Sequence, residues 1–102
     1  MKVQFLLFPL GGEEPDQSLE FDVPGVPQPG DCVMISRPDQ SGSSEYIVRR
    51  TLWDLESPDA EHAHRAGDAA IGTANTISVE CEFHVGQYSS EEHKGVLADA
   101  AV

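Results

Sequence analysis

The chain has 102 residues, 39% of them hydrophobic, and its 18 acidic and 6 basic residues give a net charge of -12. This length predicts one small domain with one modest core, and so acidic a surface argues against binding to nucleic acids or anionic membranes. No apolar run approaches the roughly 20 residues that a membrane span needs, and the N-terminal segment lacks a signal-peptide cleavage site. We therefore expect a cytoplasmic protein, in which Cys32 and Cys81 are buried thiols rather than a disulfide.

Two strands are predicted in the first quarter of the chain. Residues 2–8 carry apolar side chains on both faces, which is typical of a strand that is covered on both sides. Residues 18–23 predict a half-buried strand, because Leu19, Phe21 and Val23 alternate with acidic residues.

A stiff linker and a third strand follow. Residues 24–30 contain three prolines, which fix φ and favour extended backbone, so no helix is expected there. Gly30 and Asp31 then turn the chain into a short strand in which Val33 and Ile35 face the core.

The fourth and fifth strands carry the strongest patterns. Residues 45–55 predict a long strand that Arg49 and Arg50 interrupt on both faces, which favours a β-bulge that bends the strand. Residues 76–85 alternate without a break between an apolar face and a wet, acidic face. The predicted apolar face consists of Ile77, Val79, Cys81, Phe83 and Val85.

Two segments are expected to lie outside this sheet. Residues at about 56–75 predict a long mobile loop, and residues 89–102 predict a C-terminal tail or short helix, so that the β-domain itself spans residues 1–88. The pattern as a whole predicts an all-β fold, either a small five-stranded barrel or a strongly bent antiparallel sheet.

Arg49 and Arg50 are the first candidates for a binding site. They hold a third of the positive charge of the chain, on the same predicted strand as Tyr46 and Trp53. Guanidinium groups beside aromatic rings can grip an anion or stack on a nucleic-acid base.

The same arginine pair has a second interpretation. Glu80 and Glu82 lie on the wet face of the fifth strand, and opposite charges on neighbouring strands form stabilising pairs. We favour this pairing of Arg49 and Arg50 over an anion site.

His62 and His64 are weak candidates for metal ligands, with acidic residues nearby. On a helix, two residues at this spacing point about 200° apart, and we favour a solvent-exposed polar loop over a metal site. The sequence contains no glycine-rich phosphate loop, G-x-S-x-G elbow or HExxH motif. We therefore predict no metal site, no cofactor and no catalytic residue.

The stretches "PGDCVMI" and "YIVRRTLW" resemble the strands of small SH3-like and Sm-like barrels over roughly residues 18–85. The resemblance implies a five-stranded barrel, and the Sm-like proteins bind RNA and form rings through exposed edge strands. This chain departs from their RNA-binding signature, because no Arg-Gly pair follows the fourth strand. The resemblance therefore bears on the fold more than on function.

We expect a non-enzymatic binding or assembly module, whose partner is a second copy at an open strand edge or another protein. The first alternative is an Sm-like barrel that binds single-stranded RNA through Tyr46, Arg49, Arg50 and Trp53. The second is a small metal-dependent enzyme that uses the segment with the two histidines.

Overall fold

The computed structural model describes residues 1–39, 41–58 and 71–100, which form five strands and one helix. The elements are β1 (Lys2–Phe8), β2 (Gln17–Asp22), β3 (Cys32–Ser36), β4 (Ser43–Glu56), β5 (Thr73–His84) and α1 (Glu91–Ala100). In the part of the chain described, no helix has both the length and the apolar character required to cross a membrane.

The five strands form one sheet in the order β2-β1-β5-β4-β3, which curls into a half-barrel. The predicted small all-β fold with five strands is therefore confirmed. The alternative of a strongly bent antiparallel sheet needs one amendment, because β1 pairs in parallel with β5 whereas the other strand pairs are antiparallel. β1 forms a hairpin with β2 on one edge, and its other edge receives β5, a strand that follows much later in the chain and runs in the same direction.

The core lies on one side of the sheet, which we call the inner face. Its buried side chains are Val3, Phe5, Leu7, Ile35, Tyr46, Val48, Val79 and Cys81. Most of them come from the three central strands, where neighbouring strands present their alternate residues to the same side. The predicted apolar face of the fifth strand forms the middle of this core.

The proline-rich linker runs against the core rather than away from it. Val26 packs against the core cluster, and Thr51 Oγ1 donates a hydrogen bond of 3.2 Å to the carbonyl oxygen of Pro27. The Gly30 amide donates to the Val48 carbonyl at 2.8 Å, and Gly30 has a φ of 94°. This left-handed conformation favours glycine, so the linker enters β3 through a turn that depends on this residue.

The predicted bulge in β4 is confirmed. Val48 lies opposite Cys81 and Arg50 lies opposite Glu80, so that Arg49 is an extra residue between two consecutive pairs. The bulge shifts the alternation of β4 by one position, as one-residue insertions do.

The C-terminal helix is attached through the start of β4. The Ser43 amide donates to the Tyr88 carbonyl at 2.8 Å, and the Ser90 amide donates to the Ser43 carbonyl at 2.8 Å. His93 is buried, its Nε2 lies 2.8 Å from the His84 carbonyl oxygen, and its ring stacks on a neighbouring aromatic ring of β5. The buried imidazole therefore fixes the first turn of α1 against the sheet.

Two expectations from the sequence need correction. β4 continues to Glu56 and β5 begins at Thr73, so both ends of the expected loop at about 56–75 are strand; cross-strand pairing extends them where alternation is weak. Residues 59–70 of that loop lie outside the described residues. Cys32 is exposed and only Cys81 is buried, because β3 is an edge strand and Cys32 points to the outer face.

A substitution that adds one methyl group tests whether the turn depends on the glycine at position 30. Gly30→Ala should lower the free energy of unfolding by about 1–2 kcal/mol, because alanine is strained at this φ. No atom lies within 4 Å of the added Cβ, so the loss reports backbone strain alone. Chemical denaturation followed by circular dichroism measures it.

Gly25→Ala in the same linker is the matched control. Its Cβ also meets nothing within 4 Å, and its φ is not in the left-handed region. It should be neutral or slightly stabilising. Equal losses in both variants would contradict the role given to the Gly30 turn.

Candidate binding surface

Arg49 and Arg50 converge on one carboxylate on the outer face of the sheet. The Nε atoms of Arg49 and Arg50 lie 2.9 and 2.8 Å from Glu80 Oε1, and Arg50 Nη2 lies 3.1 Å from Glu80 Oε2. The Glu80 side chain is only 8% exposed. Arg49 also lies 3.8 Å from Glu82 Oε1, and its guanidinium stands 3.8 Å from the centre of the Phe8 ring. The predicted pairing of the arginines with the fifth strand is therefore confirmed.

The electrostatics of this cluster follow from its geometry. The hydrogen bond from Arg50, reinforced by Arg49, holds the pKa of Glu80 below its ordinary value against the opposing effect of burial. The same hydrogen bond and the charge of Glu80 raise the pKa of Arg50. Both guanidinium groups are thus engaged by protein carboxylates, which lowers their capacity to bind phosphate.

Tyr46 and Trp53 lie on the inner face, away from the two arginines. Tyr46 is buried in the core, where its ring packs edge-on against Phe83 and His93, and burial raises the pKa of its hydroxyl. Trp53 is 53% exposed and lies opposite Ile77. The structure therefore does not bring the four predicted binding residues together on one surface. His62 and His64 lie outside the described residues.

Residues 51–56 of β4 and 73–77 of β5 form a two-stranded ribbon, which we call the arm. β1 pairs with β5 only from Ser78 onward, and β3 pairs with β4 only as far as Ile47. The arm therefore has no neighbouring strand on either edge among the described residues. It extends the inner and outer faces of the sheet beyond the core.

The inner face of the arm is an apolar stripe that continues the core. The stripe starts at Val79, which is fully buried, and passes through the half-buried Ile77 to Trp53 and Leu55. Leu55 is 64% exposed and lies opposite Ala74. The stripe thus becomes progressively uncovered, and none of its side chains is charged.

The outer face of the arm is acidic. Asp54 and Glu56 alternate with the stripe residues and point to the other side, beyond Leu52 at the base of this face. Sequence alternation alone assigns Trp53 and Leu55 to the face opposite Tyr46, because it ignores the bulge. If the alternation is shifted by one residue at Arg49, the sequence places Trp53 and Leu55 on the same face as Tyr46 and so reveals the stripe.

Two observations concern reactive and metal-binding groups among the described residues. Burial raises the pKa of the Cys81 thiol to about 11, so this thiol is protonated and unreactive at neutral pH. Within residues 1–39, 41–58 and 71–100, no group of three His, Cys, Asp or Glu side chains could hold a metal ion. No family model, curated protein or solved structure matches the chain.

Removing the charge of Glu80 should destabilise the fold. Glu80→Gln should lower the free energy of unfolding by about 1.5–3 kcal/mol at neutral pH, the range for hydrogen bonds to charged groups. Glu82→Gln is the matched control, because that side chain is 56% exposed and has one 3.8 Å contact; its effect should stay below about 0.5 kcal/mol. Urea denaturation of both variants measures the two values, and equal losses would contradict the role of Glu80.

The same pair of proteins tests the direction of the pH dependence. Because the pKa of Glu80 is lowered in the folded state, the unfolded chain binds a proton at this site at higher pH than the folded chain does. The stability that Glu80 provides is fully present above its unfolded pKa of 4.5 and is lost as the pH falls through the lower, folded value. The stability difference between wild type and Glu80→Gln should therefore shrink as the pH is lowered below 4.5, and a difference that grows would contradict it.

Proposed function

We propose that the protein is a non-enzymatic assembly module that self-associates through the inner face of its arm. The observation that carries the proposal is the apolar stripe of Ile77, Trp53 and Leu55. It continues the core onto the arm, where neither β1 nor β3 pairs with the ribbon, and it becomes exposed there. The charged side chains of the described part of the arm, Asp54 and Glu56, lie on the other face by the alternation of the strand.

A ribbon of this kind has a physical reason to associate. An isolated two-stranded ribbon is marginally stable in water, and a third strand or a packed layer is needed to stabilise it. Single exposed apolar residues are ordinary on protein surfaces, but a continuous stripe joined to the core is typical of interaction sites. A second protein layer on the stripe would bury Trp53 and Leu55, the two largest contributors to its exposed apolar area.

A second copy of the chain fits the stripe because the stripe is uncharged. Two arms packed face to face about a two-fold axis would bring the two stripes together at the ordinary distance of about 10 Å between packed sheets. Asp54 and Glu56 of both copies would then lie on the two outer faces, where water and salt screen their repulsion. The contact covers less area than a standard stable interface, so we expect a weak dimer.

The net charge gives the dimer a characteristic dependence on salt. Each copy carries a charge of -12, so the copies repel one another at low ionic strength. Added salt screens this repulsion and strengthens the apolar contact. A basic protein partner at the same surface would show the opposite trend, because screening weakens attraction between opposite charges.

The two alternative functions receive less support. RNA binding would require the two arginines to lie beside Tyr46 and Trp53, but the arginines are paired with Glu80 and the aromatic rings lie on the other face. A metal-dependent activity would depend on His62 and His64, outside the described residues.

Self-association can be tested by sedimentation velocity across a range of protein and salt concentrations. The wild type should shift from monomer to dimer as both rise, and the emission of Trp53, the single tryptophan, should move to shorter wavelength as the ring is buried. Trp53→Asp or Leu55→Asp should keep the protein monomeric under the conditions in which the wild type is a dimer.

Met34→Lys is the control that separates the arm from the open edge at β3, one of the two edge strands of the sheet. Met34 is exposed on the edge strand β3, and a lysine there blocks strand-to-strand pairing without touching the stripe. This variant should dimerise like the wild type. A wild type that is monomeric throughout, or a dimer that Met34→Lys abolishes and Trp53→Asp does not, would overturn the proposal.

A further inference from the structure

A second candidate site lies where α1 meets the sheet. It is lined by charged and aromatic side chains, whereas the stripe on the arm is uncharged. A cleft of about 420 Å³ opens between the turn after β1, the turn between β3 and β4, and the first half of α1. Cavities of this size are within the range of small-molecule sites. The cleft contains one arginine, Arg37, surrounded by acidic and aromatic side chains.

Arg37 differs from the two arginines of the outer face. Its Nη2 donates to Gln17 Oε1 at 2.8 Å, and its Nε donates to Ser44 Oγ at 3.4 Å. Both acceptors are neutral, and no carboxylate of the described residues lies within 4 Å of its guanidinium nitrogens. In a chain with three times as many acidic as basic residues, a half-buried arginine held by neutral groups retains its charge for a ligand.

The acidic residues of the cleft restrict which ligand fits. Asp16, Asp39 and Glu92 line the same cavity. Burial raises the pKa of the Tyr46 hydroxyl there, the charge of Arg37 opposes the rise, and the charge of Asp16 adds to it. A phosphate or a dicarboxylate would gain one favourable charge contact and meet several repulsive ones. A molecule with one carboxylate and one ammonium group would match both signs of charge.

The remaining wall of the cleft is aromatic and rigid. The His93 and Phe83 rings stack with centroids 4.2 Å apart, and Tyr46 packs edge-on against both. His93 is held in place by the backbone carbonyl oxygens of His84 and Glu45, at 2.8 and 3.0 Å from its Nε2. A preformed apolar wall favours a ligand with an apolar side chain, because little order is lost on binding.

We infer that this cleft binds a small zwitterion of the apolar amino-acid class. Its carboxylate is held by the N–H groups of Arg37, which has five donors. Gln17, Ser44 and the Tyr46 hydroxyl engage three of them, and two remain for the ligand. Its ammonium group is held by the acidic rim, and its side chain contacts the wall that includes Tyr46 and Phe83. This site is separate from the arm and does not depend on self-association.

The test uses three ligands that differ by one charged group. L-Leucine, 4-methylpentanoate, which lacks the ammonium group, and 3-methylbutylamine, which lacks the carboxylate, are titrated into the protein and followed by two-dimensional NMR. Leucine should cause saturable shifts in the amide signals of Arg37, Ser44 and His93. Both analogues should bind at least about tenfold more weakly, because each leaves one side of the charge pattern unmatched.

Two variants connect binding to the residues that carry the inference. Arg37→Gln should weaken leucine binding at least about tenfold, whereas Lys94→Gln, which removes the same charge from α1 outside the cleft, should leave it unchanged. Asp16→Asn should reduce the preference for leucine over 4-methylpentanoate. Because Asp16 is exposed, this variant retains the fold and keeps the test valid if Arg37→Gln is unstable.

The results that would overturn the inference are equally definite. They are the absence of saturable shifts up to about 50 mM leucine, equal binding of leucine and either analogue, or equal effects of Arg37→Gln and Lys94→Gln. A monomeric protein that binds leucine would contradict the proposed assembly function and leave this inference intact. A dimer that does not bind leucine would contradict this inference and leave the assembly function intact.

Discussion

The structure depends on the contact between one buried carboxylate and two consecutive arginines. Glu80 accepts hydrogen bonds from Arg49 and Arg50, which are the bulged residue of β4 and the residue directly after it. A bulge leaves one residue unpaired and bends the strand, and here the unpaired residue is held by its side chain instead of by the ladder. Glu80 therefore stabilises the bulge, where the inward and outward alternation of the β4 side chains shifts by one residue.

The position of that point decides which side chains reach the inner face. Before the bulge Tyr46 and Val48 enter the core, and after it Trp53 takes the same face. Without the extra residue, Trp53 would share the outer face with Glu80 and the arginines, and the arm would have no apolar stripe continuous with the core. The ion-pair cluster on one face thus determines the hydrophobic surface on the other. This coupling follows from the period of two in a β-strand, and it needs no direct contact between the two groups.

Much of the sheet could be predicted from local patterns, and much of the site could not. β1 is predicted to the residue, and the arginine pair indicates both the bulge and the partner on β5, because like charges that interrupt both faces of a strand are costly unless opposite charges face them. The parallel pairing of β1 with β5 leaves no local signal, because alternation does not encode strand direction. Arg37 and His93 were missed for a related reason: they are 56 positions apart and meet in one cleft only after the helix docks on β4. Cys32 was misplaced because the sequence does not reveal which strand lies at an edge.

The few positive charges of this chain are placed according to two different physical rules. Arg49 and Arg50 neutralise a carboxylate that burial would otherwise make costly, so their role is completed within the fold. Arg37 is hydrogen-bonded to neutral oxygen atoms, which stabilise its position without neutralising its charge, and it lines the cleft. In a protein with a charge of -12, most of the surface attracts cations. A basic side chain that is not paired with a carboxylate can attract an anionic group locally. The selectivity that we infer for the cleft therefore depends on a guanidinium without a carboxylate partner among the described residues, and the proposed assembly surface depends on an uncharged stripe.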